Sequence, residues 1–477
     1  MALRRLLYWR KDLMALVLLL MSLFIKSTHS LEDIANTPPC LTPSCGHFGT
    51  KTRYEDVSKY SGWVGKEECR AMHLNAVIRH GTRLPTARQI RAMRIMHQLM
   101  AAGTTALARK IGEWHFWFRE ELGGELVEKG ARDEAQLAER LAERFPDLLG
   151  TWAVNHKSLR FLSSSKPRCV QSATAFMRAL RHHQPAHYPE ITVDDRVMRF
   201  FDECDRFVEN VKENVSALYH VIAFMEGKEM WNVQRKISER IGVPQEHVTR
   251  KLIQAAFYGC SFELAVNGTH STWCELFDAE DAKVLEYLGD LKHFWLRGRG
   301  YPINSRISCV LLQDIFTGLD QAVTERQQLK QVSTPAVLRF GHAETLIPLL
   351  TLLGFFKDEA DLLYDNFSSM HARNFRTSTF CPYASNLVFV LSQCEGLGSC
   401  ERDEEINCAE EGQESTFYIQ LYLNEIPLYL DACGATVCPY QKFKNYFINI
   451  LTQFHFKSEC ENLTSNLNRF RESKLYL

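Results

Sequence analysis

The chain has 477 residues, of which 45% are hydrophobic and 24% charged, with a formal net charge of -1. That length suits a large core and up to two domains, and the composition excludes disordered and fibrous classes. A near-neutral balance excludes nonspecific nucleic-acid binding, so an anionic ligand would have to meet positive charge that is concentrated locally.

Residues 1–30 have the layout of a secretory signal. Arg4, Arg5, Arg10 and Lys11 form a basic start, and Leu13 to Ile25 is an apolar run of 13 residues, short for a membrane span. Thr28-His29-Ser30 supplies small residues at a cleavage point; an uncleaved signal anchor is the alternative. Removing residues 1–30 takes away five cations and one anion and leaves 51 basic and 56 acidic residues.

The next informative stretch is apolar, His73 to Ile78, followed by Arg79-His80-Gly81-Thr82-Arg83-Leu84-Pro85. The pattern predicts a strand over Leu74–Ile78, a basic turn, and a helix over Thr86–Met100. Apolar spacing predicts one amphipathic helix over Gly130–Phe145. The same strand, turn and helix grammar recurs at Leu159–Leu162, Ser163–Pro167 and Arg168–Leu180. It recurs again at Ala336–Phe340, Gly341–Glu344 and Thr345–Leu353. Units of this kind build α/β sheets, and ligands sit beyond the carboxyl ends of such strands. His80, Arg168 and His342 are therefore expected at one sheet edge. The expected fold is α/β, a Rossmann-like sheet with helices on both faces.

Residues 195–295 are rich in Lys, Glu and Gln with helical periodicity, which predicts a smaller, mostly helical insertion. The α/β domain then comprises residues 31–194 and 296–477. Residues 396–415 are acidic and turn-rich, which predicts a solvated loop. Four sequons, at Asn214, Asn267, Asn366 and Asn462, mark glycosylation sites on a secretory route. Fifteen cysteines, all beyond residue 30, fit an oxidising compartment, and the odd number leaves at least one free or shared between chains. The spacings Cys394/Cys400 and Cys433/Cys438 predict local staples. No Cys-x₂-Cys pair is present, which argues against a structural zinc site. The C-terminus is not a KDEL-type retention signal, so the lumen of the endoplasmic reticulum and secretion both stay open.

The heptapeptide at 79–85 matches Arg79, His80, Gly81, Arg83 and Pro85 of a known pattern. It resembles the signature of the histidine phosphatase superfamily, in its acid phosphatase branch. Leu126-Val-Glu-Lys-Gly130, Arg168-Cys-Val-Gln-Ser172 and Pro382-Tyr-Ala-Ser-Asn386 resemble that branch's helix entry, second arginine helix and late strand. His342-Ala343-Glu344 stands where most of the branch has His-Asp, and His-Ala-Glu is similar to the multiple inositol polyphosphate phosphatases. Lys51–Asp56 and Ala282–Tyr287 also resemble the animal enzymes. The resemblance spans nearly the whole chain after the signal.

It implies a phytase-type phosphoric monoester hydrolase acting on inositol hexakisphosphate and lower inositol polyphosphates, with 2,3-bisphosphoglycerate as a second substrate. His80 would attack phosphorus and form a phosphohistidine, and neighbouring guanidiniums would keep it neutral. Arg79, Arg83 and Arg168 would clamp the phosphate oxygens, and His342 would donate to the same group. Glu344 would protonate the departing alkoxide and then activate water. For each residue a plainer role competes: a His in a structural turn, arginines paired with carboxylates, a Glu favoured by a helix start. Arg88, Arg91 and Arg94 read as the exposed face of the following helix. The reaction needs no metal and no cofactor. Two alternatives remain, a phosphohistidine phosphotransferase or mutase, which Thr82 argues against, and a non-catalytic polyphosphate-binding protein. No stable membrane span is expected once the signal is removed.

Overall fold

The computed structural model describes residues 46–58, 69–150, 159–180, 190–268, 271–328, 330–394 and 417–461. The expected signal at 1–30, the acidic loop at 396–415, Cys400 and Asn462 lie outside the described residues.

An eight-stranded mixed sheet runs through the chain. Its strands are β1 (Cys69–Arg79), β2 (Arg160–Ser163), β3 (Ile191–Val193), β4 (Ala336–Gly341), β5 (Asn386–Cys394), β6 (Phe417–Leu423), β7 (Ile426–Pro427) and β8 (Cys438–Pro439). The order is β3-β2-β4-β1-β5-β6-β7, with β8 also on β6. β1, β2, β3 and β4 are mutually parallel, and β5 turns antiparallel on β1. The three strand–turn–helix units therefore supply adjacent strands, with β4 between β2 and β1. Their carboxyl ends are in step, since Arg79 pairs with Gly341 and Ser163 with Phe340.

β1 is buried on both faces, as a central parallel strand must be. Leu74, Ala76 and Ile78 join Leu338 and Phe340 of β4 in one core cluster. Two helices complete that cluster: α1 (Glu128–Arg144), with Leu137, Ala138 and Leu141, and α2 (Pro167–Leu180), with Phe176, Met177 and Leu180. Each leucine, isoleucine, methionine or phenylalanine among them contributes about 1.5–3 kcal/mol when taken fully out of water. The other face of β1 carries polar residues that are paired rather than exposed. His73 Nδ1 lies 2.7 Å from the Thr334 carbonyl, and Asn75 Oδ1 accepts from Arg339 at 2.6 Å. Arg339 is held in turn by Asp314 on the helix α3 (Cys309–Gln327).

Between β3 and β4 the described residues form helices and turns. Among them, α4 (Ala279–Arg297) starts on an Asp278/Asp281 capping box, and its last residue, Arg297, bonds to Glu344. The third unit ends in α5 (Ala343–Leu352). No helix among the described residues is long and apolar enough to cross a membrane.

Four disulfides lie among the described residues: Cys69–Cys394, Cys204–Cys460, Cys260–Cys274 and Cys433–Cys438. The last agrees with its close spacing. Cys394 does not staple to Cys400. It joins the start of β1 instead, because antiparallel pairing puts Cys69 directly opposite it. Pro382 to Ser385 is likewise not strand. Ala384 has a φ of 53°, which bends the chain before β5 begins at Asn386.

Candidate active site

Gly81 and the residues around it form a loop held from two sides. His80 N–H donates to Gly341 O at 3.0 Å and Arg79 N–H to Ser385 O at 2.8 Å, which ties the loop to β4 and to the turn before β5. Behind it, Val127 N–H donates to Thr82 O and Gly81 N–H to Ser172 Oγ. A Cβ on Gly81 would sit 2.2 Å from Gly130 O, and one on Gly130 would sit 2.1 Å from Thr82 O. Both glycines are needed because two backbones touch there.

His80 Nδ1 lies 2.9 Å from the Gly81 carbonyl. A carbonyl can only accept, so Nδ1 carries the proton and Nε2 keeps its lone pair. Burial, then the charges of Arg79 and Arg168, hold His80 well below the ordinary histidine range. The side chain is therefore neutral, as a nucleophile requires.

Arg79 donates to the carbonyls of Thr50 and Cys381 at 2.7 and 2.9 Å and stacks on Tyr383. Arg83 donates to Leu84 O, and Arg168 Nη2 approaches His342 Nδ1 at 3.3 Å. None of the three has a carboxylate within salt-bridge distance among the described residues. Each retains a buried Nε with no hydrogen-bond partner. Three positive groups held by neutral acceptors leave their charge available to an anion.

His342 follows the end of β4 and is pushed down to about 3 by burial and then by Arg168. Arg168 can only donate, so His342 Nδ1 accepts and Nε2 donates to Ser164 Oγ at 2.9 Å. Donation to a phosphate from Nδ1 needs the other tautomer. Ser164 permits it, since a hydroxyl can also donate.

Glu344 is one-third exposed (36%) and its Oε1 accepts from Arg297 Nη2 at 2.9 Å. Burial is the largest influence on it and acts upward. Arg297 leads the influences that oppose burial, and together they hold the carboxyl well below its usual range. As it stands, this group is a carboxylate rather than an acid.

His80, Arg79, Arg83, Arg168 and Glu344 line one cavity of about 220 Å³, and His342 lines the adjoining one. Sequence reading missed the far wall of the first cavity. Lys51 lies there, lowered to about 7 by burial and then by Arg83 and Arg79, together with Lys292, His293 and Arg297 of α4. The available signal was the run Lys292-His293 and Arg297 on a helix whose other cation is Lys283, paired with Glu280. Arg88, Arg91 and Arg94 are exposed, with Arg91 paired to Glu120. Among the sequons, Asn214 and Asn267 are exposed. Asn366 is half-buried, with its amide donating to Asp361 O and its carbonyl accepting from Tyr287. Among the described residues, no group of three or more His, Cys, Asp or Glu has the arrangement to hold a metal ion.

The profile of the histidine phosphatase superfamily (branch 2) matches residues 72–424. The chain is 43% identical over 451 residues to the Homo sapiens multiple inositol polyphosphate phosphatase 1, covering 88% of this chain and 90% of that one. It is 42% identical over 433 residues to the Gallus gallus protein of the same name, covering 87% and 92%. Two solved structures share the fold at 15% identity. The D. castellii phytase has a TM-score of 0.71 and covers 88% of each chain. The Bifidobacterium longum multiple inositol polyphosphate phosphatase, in complex with inositol hexasulfate, has a TM-score of 0.64 and covers 82% of this chain and 95% of that one.

Proposed function

The chain belongs to branch 2 of the histidine phosphatase superfamily, among the multiple inositol polyphosphate phosphatases, and on that premise we propose that it hydrolyses inositol polyphosphates, the hexakisphosphate included, through a phosphohistidine on His80. One observation carries the reading: a neutral histidine with its lone pair on Nε2 sits among three guanidiniums that have no carboxylate partner. Arg79, Arg83 and Arg168 bind the phosphoryl oxygens and stabilise the charge spread over them. His80 Nε2 bonds to phosphorus as the ester P–O bond breaks. His342 donates to the same phosphate after Ser164 has turned to donate to it.

Glu344 protonates the departing alkoxide and then takes a proton from the attacking water. A polyanion entering the cavity brings negative charge next to Glu344 and competes for Arg297. Both effects raise the affinity of Glu344 for a proton, so substrate binding loads the acid. Lys51, Lys292 and Arg297 form a second tier of cations, which favours a substrate bearing several phosphates over a simple monoester. 2,3-Bisphosphoglycerate, with two phosphates, fits the same tiers as a second substrate.

Residues 195–295 act in this reading as an insertion that supplies Lys292 and His293 to the far wall, and Lys51 and Arg297 join them from an α/β domain of residues 31–194 and 296–477. We place the protein in the secretory pathway, behind a signal at 1–30. The four disulfides support that route.

The test is phosphate release from inositol hexakisphosphate by the purified chain, with a chelator present, beside His80→Ala. Release by the wild type and none by the variant is the expected result. Release by both would remove His80 from the mechanism. Binding without release by either would make the protein a polyphosphate binder.

A further inference from the structure

Two cavities meet at Glu344, and they differ in kind. The first is the cationic one of about 220 Å³, and the second measures about 240 Å³. They share Arg168, Arg297 and Glu344. Beyond that common wall the second cavity is lined by Phe201, Phe207, Leu296, Ile307 and Pro348.

Its own cations are mostly neutralised already. Arg199 pairs with Asp195 and Asp202, and Lys212 pairs with Asp202 at 2.7 Å. Lys166, two residues before Arg168, is the one that remains. A cavity shaped for another phosphate would leave its cations open, as Arg79, Arg83 and Arg168 are left open. Here carboxylates fill that role, Asn304 and His342 are the neutral polar groups of the wall, and the rest is aliphatic and aromatic. Inositol polyphosphates carry no apolar group that would use such a wall.

We propose that the second cavity takes the uncharged, apolar body of a phosphomonoester, so that alkyl monophosphates are a further substrate class. The phosphate lies at His80 and the alkyl chain on the other side of Glu344. At about 30 Å³ per water-sized group, the cavity holds about eight such groups, close to an octyl chain. The chemistry balances. The His80 Nε2–phosphorus bond forms as the ester P–O bond breaks, and Glu344 gives its proton to the alcohol oxygen. Water then attacks phosphorus, inorganic phosphate leaves, and Glu344 recovers a proton. The inference rests on the reading of His80 as phosphoryl acceptor.

The experiment is kcat/KM for methyl, butyl and octyl phosphate, with inositol hexakisphosphate as the reference substrate. For the wild type, kcat/KM is expected to rise about threefold per methylene at first and to level off near octyl. Leu296→Gln should flatten that slope and leave inositol hexakisphosphate hydrolysis within about twofold, while Leu296→Met should keep the slope. A flat series would overturn the proposal. So would a rise confined to esters bearing a second anionic group, or a slope indifferent to Leu296→Gln in a folded variant. Failure on inositol hexakisphosphate and alkyl phosphates alike would remove the parent phosphatase reading and this inference with it.

Discussion

At the scale of single residues, the site depends on which atoms carry protons. His80 is neutral because burial and two guanidiniums disfavour a second charge, and one carbonyl selects its tautomer. Glu344 is ionised because the Arg297 guanidinium beside it leads the influences that outweigh its burial. Its folded-state value is depressed, so the acid form is scarce until the pH falls well below the usual carboxylate range. Arg297→Gln removes the leading downward influence. The acid form then persists to higher pH, and the alkaline limb of kcat on inositol hexakisphosphate should move up by about one unit. KM should rise about tenfold with the lost charge. An unchanged alkaline limb in the pH–rate profile would exclude Glu344 as the proton donor that Arg297 controls.

At the scale of elements, the nucleophile loop depends on the helix behind it as much as on its own strand. Gly130 in the first turn of α1 lies against Gly81 and Thr82, and Asp133 one turn later accepts from Thr82 Oγ1 at 2.9 Å. Gly130→Ala must therefore push the loop forward. Overpacking of this kind costs about 1–3 kcal/mol. Denaturant unfolding should register that loss, and kcat should fall with it because His80 moves relative to the arginines. A variant with wild-type stability and turnover would show that the two backbones can part without consequence. α4 shows the same dependence from the opposite side, since its last turns bring Lys292, His293 and Arg297 over the cavity.

At the scale of the whole molecule, covalent links join segments far apart in the chain. Cys69–Cys394 ties β1 to β5 across a separation of 325 residues, and Cys204–Cys460 spans 256. Closing loops of that length restricts the unfolded chain most. Replacing Cys204 and Cys460 by Ser should cost about 2–5 kcal/mol in denaturant unfolding. A midpoint equal to that of the wild type would mean that native contacts alone hold the late helices. Cys169, Cys309 and Cys381 are unpaired and buried, so they take no part in this framework.

The strand–turn–helix units and the signature loop were legible in the sequence, and the family resemblance singled out His80, the three arginines, His342 and Glu344. The units are encoded locally: an apolar run sets a strand, a glycine permits a tight approach, and a basic turn follows. The shared edge was expected from those units, but that the three strands are neighbours was decided by the sheet order β2-β4-β1, which no local pattern carries. The same holds for Lys51 and Arg297, which approach the site from elements remote in sequence, and for Cys394, whose partner is set by strand register rather than spacing. The protonation of Glu344 belongs to this second class as well. A carboxyl's charge depends on its burial and on which cations stand beside it, and both are properties of the folded chain.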